Sequence, residues 1–237
     1  MLQQYANPAR FNSLVANLIP WFAWLAGIFI FIGLYFALLG SPPDYQQGET
    51  VRIMYIHVPS AWMALFVYAL IAGASAIGLI FKHPLAFLFA RAAAPIGASF
   101  TFICLLTGSL WGKPIWGVWW VWDARLTSVL ILFFLYLGFI ALIRAFENPV
   151  RGEISAAILS LVGIINLPII KFSVDWWNTL HQPSSITLTS APTIHYSMLL
   201  PLVIMFFGML IYTLIIFLMR YKTEVIKFKI EKKKNYK

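Results

Sequence analysis

Six long apolar stretches alternate with shorter polar segments along the 237-residue chain. A helix needs about 20 consecutive, mostly apolar residues to cross a bilayer, and each stretch approximately meets this length. Because backbone polar groups must be satisfied internally in lipid, each stretch is expected to be helical. The pattern therefore predicts an all-α integral membrane protein, a single six-span domain over residues 1–237. The predicted spans are 18–39, 58–81, 92–110, 126–146, 154–172 and 194–219.

The composition agrees with a membrane protein. The chain is 61% hydrophobic and 11% charged, whereas a soluble domain carries roughly 25% charged residues. Arg10 is the only basic residue before the first apolar stretch, and no small-residue cleavage pattern follows, so this stretch is expected to remain as a span. The single cysteine, Cys104, cannot form an intrachain disulfide or a CxxC site. It is expected to be a small buried hydrophobe.

Basic residues are distributed unevenly between the two ends of the predicted bundle. An even number of spans puts both termini on one side, and 13 of the 17 Lys and Arg residues fall there, many in the tail 220–237. The positive-inside rule makes that side cytoplasmic. The acidic residues divide four and four, so the whole net charge of +9 lies on the cytoplasmic side. The tail is interpreted as an orientation signal that also contacts anionic membrane lipid, with docking of a partner as the alternative.

The outer segment 111–125, between the third and fourth spans, contains five of the ten tryptophans and ends in Asp123-Ala-Arg125. An interfacial belt normally uses one or two such rings at a helix end. Tryptophan offers a flat, rigid, apolar surface with a polar edge. The segment is therefore interpreted as a surface that receives something large, flat and partly charged. An interfacial anchor without a ligand is the alternative.

The spacing within this segment predicts a short interfacial helix that starts near Trp116, because two glycines and a proline precede or interrupt it. Trp116, Trp119, Trp120 and Asp123 are spaced i, i+3, i+4, i+7 and would share one helix face. Trp111 and Trp122 would lie elsewhere. This periodicity predicts a stacking platform with an acidic residue at its end.

A porphyrin is flat and apolar and carries two carboxylates at one edge. Arg125 and Arg52, with Lys113 as a weaker candidate, are outer basic residues that could hold those carboxylates, since Arg forms bidentate charge-assisted bonds. Asp123 could hold Arg125, orient a ligand histidine or cap the fourth span.

Four histidines are present, and three lie towards the outer side. His57 precedes Pro59 at the start of the second span, and His181 lies among tryptophans in the last outer loop. Zinc is a poor explanation for this pair, because catalytic zinc usually takes three protein ligands and no Cys or acidic cluster supplies more. Two histidines suffice for haem, whose porphyrin provides the equatorial nitrogens. His195 could replace either ligand, although it lies closer to a span, and His83 is on the opposite side.

Several function classes are disfavoured by what the sequence lacks. It has no glycine-rich phosphate loop, so it is not expected to hydrolyse ATP. It has no acid central in a span that would suggest a proton relay. It also has no structured basic surface for nucleic acid.

The motif Trp111-Gly-x-x-x-Trp-Gly-x-Trp-Trp-x-Trp-Asp-Ala-Arg-Leu-Thr-Ser128 closely resembles the WWD signature of haem-handling membrane proteins. With six spans and histidines in the loops before and after the signature, the chain resembles the haem exporter C subunits of bacterial cytochrome c maturation. The resemblance implies that haem b is held transiently and non-covalently on the periplasmic face of the inner membrane, with iron ligands that match His57 and His181. It also implies that segment 111–123 contributes to the haem platform and to docking of a periplasmic haem chaperone.

The same resemblance implies a complex with an ATP-binding subunit, a second membrane subunit and a small single-span subunit. The leading hypothesis is a non-enzymatic haem-delivery protein for c-type cytochrome biogenesis. Two alternatives stay open: a cytochrome b or quinone-linked electron-transfer protein, and a structural docking subunit without haem of its own.

Overall fold

The computed structural model describes residues 8–187 and 190–234, with side chains from residue 13. The last three residues of the predicted basic tail and the side chain of Arg10 lie outside this description. Within the described residues, the chain forms seven α-helices and two short helical turns, a π-helical turn Phe36–Gly40 and a 3-10 turn Glu49–Ile53. The α-helices are α1 (Pro8–Tyr35), α2 (Met54–Phe81), α3 (Pro84–Trp116), α4 (Ala124–Arg144), α5 (Pro149–Gly163), α6 (Asn166–Trp176) and α7 (Tyr196–Lys234).

Six helical segments in the described part of the chain are long and apolar enough to cross a membrane, which confirms the six-span, all-α prediction. The fifth segment is α5 followed by α6, and residues 164–165 interrupt it with a turn that the sequence did not predict. The side chain of Asn166, at the start of α6, donates a hydrogen bond of 2.8 Å to the carbonyl of Ser128 in α4. This hydrogen bond joins the start of α6 to α4.

The structure corrects the predicted helix of the Trp-rich segment. Helix α3 does not end near Leu110 but continues to Trp116, and residues 117–123 are not helical. The prediction of a helix starting near Trp116 was therefore wrong. Gly117 takes a left-handed φ of +77°, and its N–H donates to the carbonyl of Lys113 at 3.0 Å, which ends the helix. Upstream, Gly112 has no Cβ to collide with the Trp116 ring packed against it.

Small residues allow the central helices to pack closely. Ala92, Ala93 and Ala94 of α3 are fully buried. A Cβ on Gly97, one turn further along α3, would overlap the hydroxyl of Tyr136 from α4. That hydroxyl donates to the carbonyl of Ala64 in α2 at 2.7 Å, so α2, α3 and α4 meet at one point. Close approach at small residues is the usual way in which membrane helices associate.

An ion-pair cluster joins three helices at the end of the bundle where α2 connects to α3. Arg91 of α3 lies 2.7 Å from Glu153 of α5 and 3.4 Å from Glu224 of α7. Arg220 of α7 donates to the carbonyl of Ala92 at 3.0 Å. The opposite end, formed by residues 41–53, 117–123, 177–187 and 190–195, carries the Trp-rich segment and is called the Trp-rich end below.

Candidate functional site

A cavity of about 330 Å³ lies at the Trp-rich end, among α2, α3, α4, α6, α7 and the loop that follows α6. Small-molecule sites commonly have volumes of roughly 300–1,000 Å³ and mostly apolar walls with a few convergent polar groups. This cavity has apolar walls, and the polar groups that reach it include Gln47, His57, Arg125 and His181. It is the place where the sequence-predicted histidines and tryptophans meet.

His57 projects from the first turn of α2 and is held by one face of α3. Its Nδ1 lies 3.0 Å from Oγ1 of Thr107. Its ring meets Trp111 edge to face, with centroids 5.7 Å apart. Gly108 lies beneath the ring, and a Cβ there would come within 2.9 Å of His57 Cε1. The imidazole therefore sits in a fitted recess on α3.

His181 comes from the irregular loop between α6 and α7. Its Nδ1 donates to the backbone carbonyl of Gln182 at 2.9 Å, because a carbonyl oxygen can only accept. This bond leaves Nε2 of His181 with a free lone pair. Burial lowers the pKa of His181 below its ordinary value of 6.5, and nearby Arg125 lowers it further, against the opposing effects of the Gln182 carbonyl and Asp123. The ring is therefore neutral, as a metal ligand must be.

Arg125 lies in the first turn of α4 and lines the cavity. Its Nε donates to Oγ of Ser173 at 2.9 Å, and one terminal nitrogen donates to the carbonyl of Lys171 at 3.2 Å. These contacts with α6 take two of the five N–H donors of the guanidinium. The group is thus fixed in direction while it keeps donors for an anionic ligand.

The five tryptophans of the segment divide into two groups. Trp111, Trp116 and Trp120 line the cavity. The buried Nε1 of Trp120 has no hydrogen-bond partner among the described residues. Trp119 and Trp122 lie outside the lining and are 54% and 77% exposed. The shared face proposed for Trp116, Trp119 and Trp120 does not form, because the chain is not helical from Gly117 to Asp123.

Two other predicted site residues, Asp123 and Arg52, bond to other groups of the protein and do not line the cavity. Asp123 caps α4, since its Oδ1 accepts from the backbone N–H of Leu126 at 2.8 Å. Arg52 pairs with Glu49 at 2.5 Å and donates to the carbonyls of Ala37 and Ser41. The structure therefore does not bring Arg52 to the cavity.

His195 is also placed away from the cavity lining. Its Nδ1 accepts from the backbone N–H of Ser197 at 3.3 Å and lies 2.8 Å from the Ser197 hydroxyl, at the exposed start of α7. His83 lies at the opposite end of the bundle, just before α3. Of the four histidines, His57 and His181 alone line this cavity.

Sequence reasoning missed Gln47 and Thr107. Gln47 lies within a tight turn closed by Asp44 and Gly48, and its Oε1 accepts from Nε1 of Trp111 at 2.9 Å. The spacing to its partner is 64 residues, and the spacing from Thr107 to His57 is 50. No local pattern in the sequence signals either contact.

The donor set fits a ligand that brings most of its own metal coordination. Across residues 8–187 and 190–234, no group of three or more His, Cys, Asp or Glu side chains is placed to hold a bare metal ion. Cys104 is buried in the cavity wall as expected. Two imidazoles, aromatic walls and one oriented guanidinium match a metalloporphyrin with carboxylate groups.

Comparison with known proteins agrees with this site. The family model described as "Heme exporter protein C" matches residues 1–236. A protein of that name from Bradyrhizobium diazoefficiens is 58% identical over 200 residues, covering 84% of this chain and 76% of the relative. Those from Haemophilus influenzae and Escherichia coli K12 are 47% and 46% identical, each over 95% of this chain and over 92% and 91% of their own lengths. With its six spans, its paired histidines and a match over nearly its whole length, the chain belongs to the heme exporter protein C family.

Proposed function

We propose that this protein is a membrane subunit of a haem-export system for cytochrome c maturation, and that it holds haem in the cavity at the Trp-rich end for transfer to a chaperone. The observation that carries the proposal is that His57 and His181 line one cavity with Arg125 and three tryptophans. Family membership supports the broader role, since the relatives are named for haem export.

In this proposal, Nε2 of each histidine would bind the haem iron, because Nδ1 of His181 bonds to the Gln182 carbonyl and Nδ1 of His57 faces the Thr107 hydroxyl. Trp111, Trp116 and Trp120 pack around the porphyrin. Arg125 binds a propionate through donors that Ser173 and Lys171 leave free. The proposal gives these residues binding roles only, in keeping with a haem-delivery protein.

The two ligands differ in how firmly the protein holds them. His57 lies on a helix and packs against α3, whereas the His181 ring bonds to its neighbour Gln182 in an irregular loop. A ligand on a loop can withdraw at lower cost, because fewer packed groups move with it. We infer that His181 is released first when haem leaves.

The exposed rings at the Trp-rich end suit a docking surface for a periplasmic chaperone. Trp119 and Trp122 are exposed next to the cavity-lining rings, and exposed aromatic side chains are common anchors at protein interfaces. The basic residues at the opposite end support a cytoplasmic location for that end and for both termini in a bacterial inner membrane. An ATP-binding subunit, a second membrane subunit and a small single-span subunit are the proposed partners in the membrane complex.

The experiment is an optical and electron paramagnetic resonance titration of purified protein with haemin. Wild type is expected to give a low-spin bis-histidine spectrum, which His57→Ala and His181→Ala should each lose. His195→Ala is the matched control, because His195 lies at the same end but outside the cavity. An unchanged spectrum in both His57→Ala and His181→Ala would refute the ligand assignment.

The same preparations distinguish the alternative functions. Rapid reduction of the bound haem by a quinol would favour an electron-transfer protein. Purification without haem from haem-replete cells, together with no haemin binding, would favour a structural docking subunit.

A further inference from the structure

Thr107 is the side-chain hydrogen-bond partner of the His57 ring, and the backbone carbonyl of Cys104, on the same turn of α3, is a second acceptor beside it. Thr107 Oγ1 lies 3.0 Å from His57 Nδ1 and 2.7 Å from the carbonyl of Ile103, one turn earlier in α3. His57 lines the cavity, and its contact with Thr107 joins α2 to α3. Its geometry decides which His57 nitrogen is free.

The position of the Thr107 proton follows from the donor count. A hydroxyl has one proton and two acceptor lone pairs. In a helix, threonine commonly donates its proton to the carbonyl four residues earlier, and the 2.7 Å distance to Ile103 fits this bond. The oxygen then faces His57 with a lone pair, so His57 Nδ1 must carry the proton. His57 Nε2 is left unprotonated.

We propose that Thr107 is a positioning residue for haem binding: it accepts from His57 Nδ1 and thereby holds the ring in the tautomer and direction that present Nε2 to the iron. This inference rests on the proposed function, since it assigns Thr107 a role towards the same ligand. In metal sites, the hydrogen-bond partner of the histidine nitrogen that does not bind the metal sets the orientation and basicity of the ring. The inference assigns this part to the Thr107 hydroxyl.

The chain provides both a conservative variant and a matched control. Thr107→Val keeps the branched shape but removes the acceptor, whereas Thr107→Ser keeps the hydroxyl. Thr101 lies on the same helix and donates to the carbonyl of Gly97 at 2.7 Å, in the same way as Thr107 does to Ile103. Thr101→Val therefore removes an equivalent intrahelical bond without touching the histidine.

The first test measures the affinity of the purified full-length variants for haemin. Loss of a group that orients a metal ligand typically costs 10- to 100-fold in affinity, so Thr107→Val is expected to bind haemin at least about 10-fold more weakly. Thr107→Ser and Thr101→Val should stay close to wild type. In a His57→Ala background, Thr107→Val should have no further effect, because the two side chains act as one unit.

The second test needs no haem. In the apo protein labelled with ¹⁵N-histidine, the His57 resonances should report a ring protonated on Nδ1 in wild type and in Thr107→Ser. This preference should be lost in Thr107→Val. This readout also separates a positioning role from a general loss of packing, which would not select one nitrogen.

The outcomes separate this inference from the proposed function. Wild-type haemin affinity in Thr107→Val, with affinity lost in His57→Ala, overturns the role of Thr107 and leaves haem binding at His57 intact. Unchanged haemin affinity in His57→Ala overturns the role of Thr107 and also the assignment of His57 as an iron ligand. A His57 ring protonated on Nε2 in the apo wild type overturns the inference whatever the haemin titration gives.

Discussion

The recess beneath His57 makes Gly108→Ala a sharp test of the site geometry. An added Cβ would lie 2.9 Å from His57 Cε1, whereas ordinary contact begins at 3.4 Å. The ring must therefore withdraw by about 0.5 Å. Because Thr107 precedes Gly108 on the same helix, this movement would lengthen the 3.0 Å contact between Thr107 Oγ1 and His57 Nδ1 by up to about 0.5 Å, which weakens or breaks the hydrogen bond.

Gly108→Ala is expected to lower the stability by about 0.5–3.5 kcal/mol, because the gain from alanine offsets only part of two costs. Overpacking typically costs about 1–3 kcal/mol, and loss of the hydrogen bond about 0.5–1.5 kcal/mol. Alanine in place of glycine within a helix returns about 1 kcal/mol. The variant should still fold, with a lower melting temperature. Its affinity for haemin should nevertheless fall about 10-fold or more, since a displaced ligand no longer meets the iron correctly.

Gly73→Ala is the control, because Gly73 lies inside α2 and a Cβ there meets nothing within 4 Å. It should bind haemin as wild type does and unfold at the same or a higher temperature. The assay is a haemin titration by absorbance with circular-dichroism melting of each variant. Wild-type haemin affinity in Gly108→Ala, with affinity lost in His57→Ala, would refute the argument that the recess positions the ring.

Two further predictions concern the cap of α4 and the protonation of His181. Asp123→Ala should destabilise the protein by about 0.5–2 kcal/mol through loss of the bond to the Leu126 N–H. Asp123→Asn keeps a capping oxygen and should retain most of this stability, as measured by thermal unfolding. Equal losses in both would show that the carboxylate acts otherwise. An NMR titration of the apo protein should give His181 a midpoint below 6.5, since burial lowers its pKa. The unfolded chain then takes up a proton as pH falls through about 6.5 while the folded loop does not, so this group's contribution to stability declines below that pH. A midpoint at or above 6.5, or stability that rises on acidification through this window, would contradict the assigned environment.

The candidate site was predictable in part because its chemistry is unusual for a membrane protein. Histidines in two loops and a run of tryptophans between them stand out in an apolar chain, and the cavity contains His57, His181 and Arg125 together. In the sequence Arg52 is, like Arg125, a basic residue predicted to lie on the outer side. In the structure it pairs with Glu49 and donates to two backbone carbonyls. Charge pattern alone cannot rank two arginines whose roles depend on which neighbours they meet.

The Trp-rich segment shows how local periodicity can mislead. The spacing of Trp116, Trp119 and Trp120 fits a helix, but Gly117 adopts a left-handed conformation that ends α3 between them. The left-handed state was equally available to Gly112, where the chain stays helical. Packing of the Trp116 ring against Gly112 accompanies that choice, and this contact is visible only in the folded chain.

The sequence by itself determined the six spans and the chemical groups at one end, because a membrane span depends on about 20 consecutive apolar residues and is therefore a local property. The tertiary structure alone decided which groups touch. Thr107 reaches His57 across 50 residues, and Gln47 reaches Trp111 across 64. Such contacts depend on how the helices pack and in which register, which no single stretch of sequence encodes.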